Sequence, residues 1–330
     1  MSTLWDTTGT EVLSVLAAER RSAGAVAAGL ALTLIAVVEE KSVAVAEQAA
    51  TVAAQAHPCR LLVVVRRQLD VADRLDAEIT VGGRQGPTEA VVLRMYGRLT
   101  LHAESVVLPL LAPDAPVVTW WHGPPPTEIA TDPLGVLAGR RITDAAQADD
   151  PVAELHARAL DYAPGDTDLA WTRTTPWRAL LASAFDSVDG QPGSAQVIAA
   201  TGNPSAELLR GWLASRLGIP VTATTSAGPG ITEIAVEVTA GDGRPVTVGI
   251  ARPDGRLATL SRTGQPDRVL PLTRRDLGDL LAEEVRRLDA DPTYGAALAA
   301  TTGVPGLADR APGRRHRWQD PARDRAAAAP

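Results

Sequence analysis

The sequence predicts an α/β N-terminal domain, with a mixed, largely buried sheet carrying helices on both faces, followed by an α+β domain with an antiparallel meander. Three observations lead there. LALTLIAVV (30–38) and RLLVVV (60–65) are continuous apolar runs, the pattern of strands buried on both faces, and an Ala-rich helical stretch separates them. Beyond residue 195, short alternating runs are divided by GDGRP (241–245) and RPDGR (252–256), and Asp-Gly between such runs signals hairpins. The length of 330 residues suits two domains, at roughly 100–200 residues each.

The elements follow in order. Thr8 to about Ser22 has helical spacing, with Val12, Leu13, Val15 and Leu16 on one side. A buried strand ends at Val38, and a helix over 42–56 is stopped by His57-Pro58, because proline cannot continue it. The strand over 60–65 completes a strand–helix–strand unit, which favours a parallel pair. Residues 75–81 and 88–96 alternate about Gly82-Gly83 and Gly86-Pro87 and read as a hairpin. A helix is expected over 99–111, a strand over 116–121 stopped by Gly123-Pro124-Pro125-Pro126, and short helices over 133–138 and 152–162 around Arg141-Ile142. Trp177, Leu180, Leu181 and Ala184 share a helical face after Thr175-Pro176. The second half reads as a strand over 195–200, a helix over 205–217, and strands over 231–239, 246–251 and 257–262. A final helix over 274–288 is expected to cover the meander. Residues 1–190 form the first domain, 191–303 the second, and the aperiodic 304–330 a disordered tail.

Composition narrows the function. A net charge of −7 argues against a general nucleic-acid binder. Cys59 is the single cysteine, so neither an internal disulfide nor a Cys-based zinc site is available. No basic-then-apolar leader is seen, and the apolar run 23–38 is short of the roughly 20 residues that span a bilayer. The expectation is a cytoplasmic protein without membrane contact.

Catalytic and cofactor signatures are missing from the sequence. His57, His102, His122, His156 and His316 stand in no H-E-x-x-H or Cys/His cluster, and no metal site is expected. G-x-S-x-G does not occur, and GAVAAG (24–29) fits neither a dinucleotide fingerprint nor a P-loop, so no catalytic residue and no cofactor is assigned. Gly82-Gly83-Arg84 reads as a turn before an anion cradle.

Two stretches carry recognition chemistry. GDTDLAWTRTTPWR (165–178) packs two Asp, two Trp and two Arg into a few turns, a composition suited to a contact surface. Asp166 and Asp168 also suit the entrance of a helix, as N-cap and dipole partners. Trp120 and Trp121 end a buried strand, where open α/β sheets place ligand crevices, and alternation sends Val118 and Trp120 to one face and Trp121 to the other. Trp120, Trp121, Asp166, Asp168, Trp171 and Arg173 are the candidates to form or support a partner contact. Arg140 and Arg141, with Arg173, are candidates for an anion.

AVVLRMYGRLTLHAESVVLPLLAPDAPVVTWW (90–121), DPLGVLAGRRITDA (132–145), GDTDLAWTRTTPWRALLASAFD (165–186), GWLASRLGIPV (211–221) and ATLSRTGQPDRVLPL (258–272) together resemble the OpcA glucose-6-phosphate dehydrogenase assembly proteins. The resemblance runs to about Tyr294 and leaves out the tail. It implies a non-catalytic protein that binds glucose-6-phosphate dehydrogenase, aids its oligomeric assembly and raises its activity, supporting the oxidative pentose phosphate pathway and NADPH supply. Redox control by a cysteine pair does not carry over, because Cys59 stands alone. The alternative reading is a sugar-phosphate-binding enzyme or metabolite sensor using a crevice near Trp121.

Overall fold

A computed structural model describes residues 1–23, 30–82, 89–186 and 188–311. The chain opens with a short strand β1 (Ser2–Leu4) and helix α1 (Gly9–Ser22), which Thr8 caps by accepting from the Glu11 N–H. Strand β2 (Leu32–Val38), helix α2 (Val43–Ala56) and strand β3 (Cys59–Arg66) form the expected parallel pair, with Leu34 beside Leu61. Strands β4 (Arg74–Val81) and β5 (Glu89–Tyr96) pair antiparallel. Residues 83–88, on which part of the expected Gly82-Gly83-Arg84 turn falls, and residues 24–29 lie outside the described residues.

The helix expected over 99–111 is broken. Only α3 (Ala103–Val107) is α-helical, flanked by 3₁₀ turns: His102 departs from helical backbone at its start, and Pro109, which has no N–H to donate, cannot extend its hydrogen-bond ladder. Strand β6 (Val117–His122), helix α4 (Pro133–Leu137), strand β7 (Arg140–Thr143), helix α5 (Pro151–Asp161) and strand β8 (Asp166–Asp168) complete the first sheet. Its order is β1-β4-β5-β3-β2-β6-β7-β8, parallel from β5 to β8 with β4 and β1 as an antiparallel edge.

Side-chain alternation sorts this sheet into two faces. Leu34, Ala36, Val118 and Trp120 join the core under α2, while Ile35, Leu62 and Val64 join the core under α1 and α3. Trp121 takes the opposite face from Trp120, as the alternation predicts. Its ring lies 3.4 Å from the point a Cβ on Gly135 of α4 would occupy, and the same Cβ would strike the Ile129 carbonyl. Gly135 therefore lets the chain close over Trp121.

Helices α6 (Leu169–Thr172) and α7 (Thr175–Phe185) lead into a second sheet of β9 (Gly190–Ala199), β10 (Val221–Thr225), β11 (Ile231–Ala240), β12 (Pro245–Ala251), β13 (Leu257–Arg262) and β14 (Gln265–Pro271), with α8 (Pro204–Leu217) between β9 and β10. Its order is β10-β9-β11-β12-β13-β14, antiparallel apart from the β9–β10 pair. Trp177 and Leu181 of α7 and Leu209 and Leu213 of α8 bury Val197, Ile234, Val236 and Ile250.

The C-terminal helices depart from expectation. Helix α9 (Leu277–Arg286) does not cover the meander. Leu280, Leu281 and Val285 instead enter the core between α2 and the first sheet. Gly278 permits the approach, since a Cβ there would lie 2.6 Å from Val52 Cβ. Helix α10 (Pro292–Thr302) packs on α8 at Gly211, where a Cβ would meet the Ala297 carbonyl at 2.2 Å. The start of the expected disordered tail is also placed. Leu307 is 1% exposed beside Trp171 and Tyr294, and Arg310 Nη1 donates to the Leu160 and Tyr162 carbonyls at 2.9 and 3.0 Å. Residues 312–330 lie outside the described residues.

Candidate functional site

Residues 165–178 begin on the short strand β8, turn through α6 and enter α7. The strand ends because Asp168 becomes an N-cap: its carboxylate accepts from the Ala170 N–H at 2.8 Å. It also accepts from Thr143 Oγ1 at 2.7 Å and the Ala145 N–H at 3.0 Å. Burial, and then the neighbouring charge of Asp144, push the Asp168 carboxyl up to about 6. Asp166 bonds Arg141 Nε and accepts from the Ala163 N–H at 2.7 Å. Burial raises it to about 6 as well, against the opposing pull of Arg141.

These contacts correct the contact assignment. Trp120, Trp121, Asp166, Asp168 and Trp171 are all buried, so none of them touches a partner directly in this conformation. Arg173 alone of the six reaches solvent, and its guanidinium grips Asp144 with two bonds of 2.6 and 2.8 Å. The anion assignment fails for a similar reason. Arg141 is spent on Asp166 and on the Ala138 and Pro164 carbonyls, and Arg140 on Glu284 and the Asp289 carbonyl. The crevice expected beside Trp121 is closed at that ring by α4.

What the segment does instead is join distant parts of the chain. Thr172 Oγ1 donates to Glu284 of α9 at 2.5 Å, and the same carboxylate holds Arg140 of β7. Trp171 Nε1 donates to Asp291 Oδ2 at 2.8 Å, while Asp291 caps α10 through the Thr293 and Tyr294 N–H groups. Arg178 lies 3.5 Å over the Trp171 ring and is held by the Thr174 and Thr175 hydroxyls. Its burial brings the guanidinium down to about 10.

Where this junction meets the second sheet, a cleft of about 300 Å³ opens, lined by Arg173, Arg252, Arg274 and Arg275 together with Trp177 and the start of α8. Sequence reasoning passed over Arg252 and Arg274. The available signal was their position, Arg252 in RPDGR, read as a hairpin turn, and Arg274 at the start of the helix expected over 274–288. It also passed over Trp5, which stands 70% exposed on the edge of the first sheet. Among the described residues no His, Cys, Asp or Glu cluster suits a metal ion, and no helix is long and apolar enough to cross a membrane.

Comparison with known proteins bears on both halves. Residues 50–160 match the family model described as "Glucose-6-phosphate dehydrogenase subunit N-terminal domain", and residues 164–298 the one described as its C-terminal domain. A curated protein of Synechocystis sp., "Putative OxPP cycle protein OpcA", is 27% identical over 267 residues, which cover 76% of this chain. The chain spans about half the length of that relative, 53%. Among solved structures, a 3-ketoreductase of Actinomadura kijaniata superposes at a TM-score of 0.41 and 10% identity, over 83% of this chain and 96% of the other. An oxidoreductase of Sinorhizobium meliloti does so at 0.40 and 10%, over 83% and 95%. Superpositions this loose carry no chemistry. The family matches cover residues 50–160 and 164–298, and on them the chain belongs to the OpcA family of glucose-6-phosphate dehydrogenase assembly proteins.

Proposed function

We propose that this protein is a non-catalytic accessory that binds glucose-6-phosphate dehydrogenase in the cytoplasm, promotes its oligomeric assembly and raises its activity. In doing so it supports the oxidative pentose phosphate pathway and NADPH supply. The observation that carries this reading is the pair of family matches over residues 50–160 and 164–298, both named for a subunit of that dehydrogenase. The name of the Synechocystis relative points the same way. An accessory protein of this kind acts by binding the active assembly more tightly than the inactive one, and it shifts the population only by that difference.

In this reading Arg173 belongs to the contact, and Trp120, Trp121, Asp166, Asp168 and Trp171 support it from beneath by fixing the backbone that presents Arg173. Trp5 is a second surface candidate, because an exposed indole offers a large rigid contact. The test is to purify the dehydrogenase from the native cell with and without this chain. Its oligomer size and turnover are then compared after add-back of wild type, Arg173→Ala and Trp5→Ala. Restored size and turnover with wild type support the reading, and a true anchor loses about tenfold or more in affinity on truncation. A dehydrogenase that ignores the wild-type chain overturns it.

A further inference from the structure

The four arginines of the cleft between the two sheets are not equivalent. Arg173 is neutralised by Asp144 and Arg275 by Glu283. Arg252 and Arg274 hold backbone carbonyls only: Arg252 donates to Leu272 O at 2.9 Å and Ile231 O at 3.2 Å, and Arg274 to Pro229 O. No Asp or Glu is among the described residues that line the cleft.

Arg252 is the more telling of the two. It is 7% exposed, lies 4.7 Å over the Trp177 ring, and its buried Nε has no hydrogen-bond partner. A buried guanidinium with one N–H unspent and no carboxylate hydrogen-bonded to it is costly, and the cost falls when an anion arrives. Burial, and then the nearby charge of Arg274, lower its pKa against the smaller opposing pull of Asp254.

Other donors converge on the same place. Helix α8 begins in the cleft with Asn203, Pro204 and Ser205; Pro204 has no N–H and Asn203 takes the Ala206 and Glu207 N–H groups, so the Ser205 N–H is the backbone donor left at this end. The Asn203 side-chain oxygen is taken by the Ala206 N–H at 2.9 Å, which leaves its Nδ2 as the free donor. That Nδ2 and Arg274 Nη2 lie 4.0 and 3.4 Å from the one point where a Cβ on Gly230 would sit. Gly230 has φ +74°, a backbone that favours glycine, and its bareness keeps the space between the two donors open.

We propose that this cleft is a binding site for a small phosphate monoester, with the phosphate held by Arg252, Arg274, Asn203 and the start of α8. The volume of about 300 Å³ lies at the lower end for ligand sites, which suits a sugar phosphate or a nucleoside monophosphate and not a dinucleotide. The named donors all belong to the unit of the second sheet, and the site stands independently of whether the chain docks on a dehydrogenase.

The test is calorimetric titration of the full chain, alone, with glucose 6-phosphate, AMP, inorganic phosphate and glucose, each also against Arg274→Ala, Arg274→Lys and the surface control Arg268→Ala. The expected result is saturable binding of a monoester, competition by inorganic phosphate and none by glucose. Arg274→Ala should weaken it about tenfold or more, Arg274→Lys should restore part, and Arg268→Ala should leave it unchanged. A preference for glucose 6-phosphate or for AMP identifies the ester, and either upholds the site. No saturable binding at millimolar ligand, or equal binding by wild type and Arg274→Ala, overturns it. Because the dehydrogenase is absent, either result leaves the docking proposal to its own test.

Discussion

Trp171 shows how one side chain serves several partners. Its N–H reaches Asp291, its ring face carries Arg178, and its edge meets Tyr294 at a ring-centroid distance of 6.0 Å. Trp171→Phe keeps an aromatic face and loses the hydrogen bond, so urea denaturation should show a loss of about 1 kcal/mol. Trp171→Ala removes the platform too and should cost about 3–5 kcal/mol. Asp168 gives a prediction in pH. Its carboxyl is raised in the fold, so its protonated form is favoured there. The associated stabilisation is full below the ordinary carboxylate range and is lost as pH rises through about 6. Asp168→Asn should therefore flatten the pH dependence of stability between pH 4 and 7, measured as the difference from wild type in matched denaturation series. Cys59 is buried and its thiol is pushed up to about 12, so alkylation at pH 8 should be slow in the native protein and rapid in denaturant.

At the scale of elements, the hydrophobic pattern settles that a helix forms and leaves open what it covers. The apolar stripe Leu277, Leu280, Leu281 and Val285 is plain in the sequence, yet it faces α2 and not the adjacent meander. Two features bring it there. Gly278 allows close approach to Val52, and Glu284 satisfies both Arg140 and Thr172 at the far end of the contact. Glu284→Ala should cost about 3–5 kcal/mol in a denaturant titration, since it strands the buried Arg140 without a counter-charge. Replacing both partners with apolar residues should cost much less. Strands β8, β10 and β14 escaped the sequence reading for a different reason. Asp166–Asp168 is short and acidic, and Val221–Thr225 and Gln265–Pro271 sit at sheet edges with few buried side chains. Neighbouring strands select such segments, which lack the apolar alternation that marks a half-buried strand.

For the molecule as a whole, we propose that the division between 1–190 and 191–303 is one of sheets, with the C-terminal helices crossing back over it. Helix α9 roofs part of the first sheet, and α10 joins α8 to the buried junction around Trp171 and Tyr294. A chain cut after residue 276 should then lose the stability of the first unit and not merely its own missing helices. Limited proteolysis of that fragment should open the region around α2 at protease levels the full chain withstands. Local sequence was enough to establish the buried parallel strands, the hairpins, the position of Asp168 as a helix cap and the resemblance to OpcA, because periodicity, turn chemistry and motif order are properties of neighbouring residues. Which side chains would be surface was decided by tertiary structure. A Trp-, Arg- and Asp-rich stretch has the same composition whether it meets a partner or the chain's own remote segments. Here Glu284 and Asp291, more than a hundred residues downstream, arrive to satisfy it, and the two cleft arginines that hydrogen-bond no carboxylate, Arg252 and Arg274, come to lie together only when the strands of the second sheet assemble.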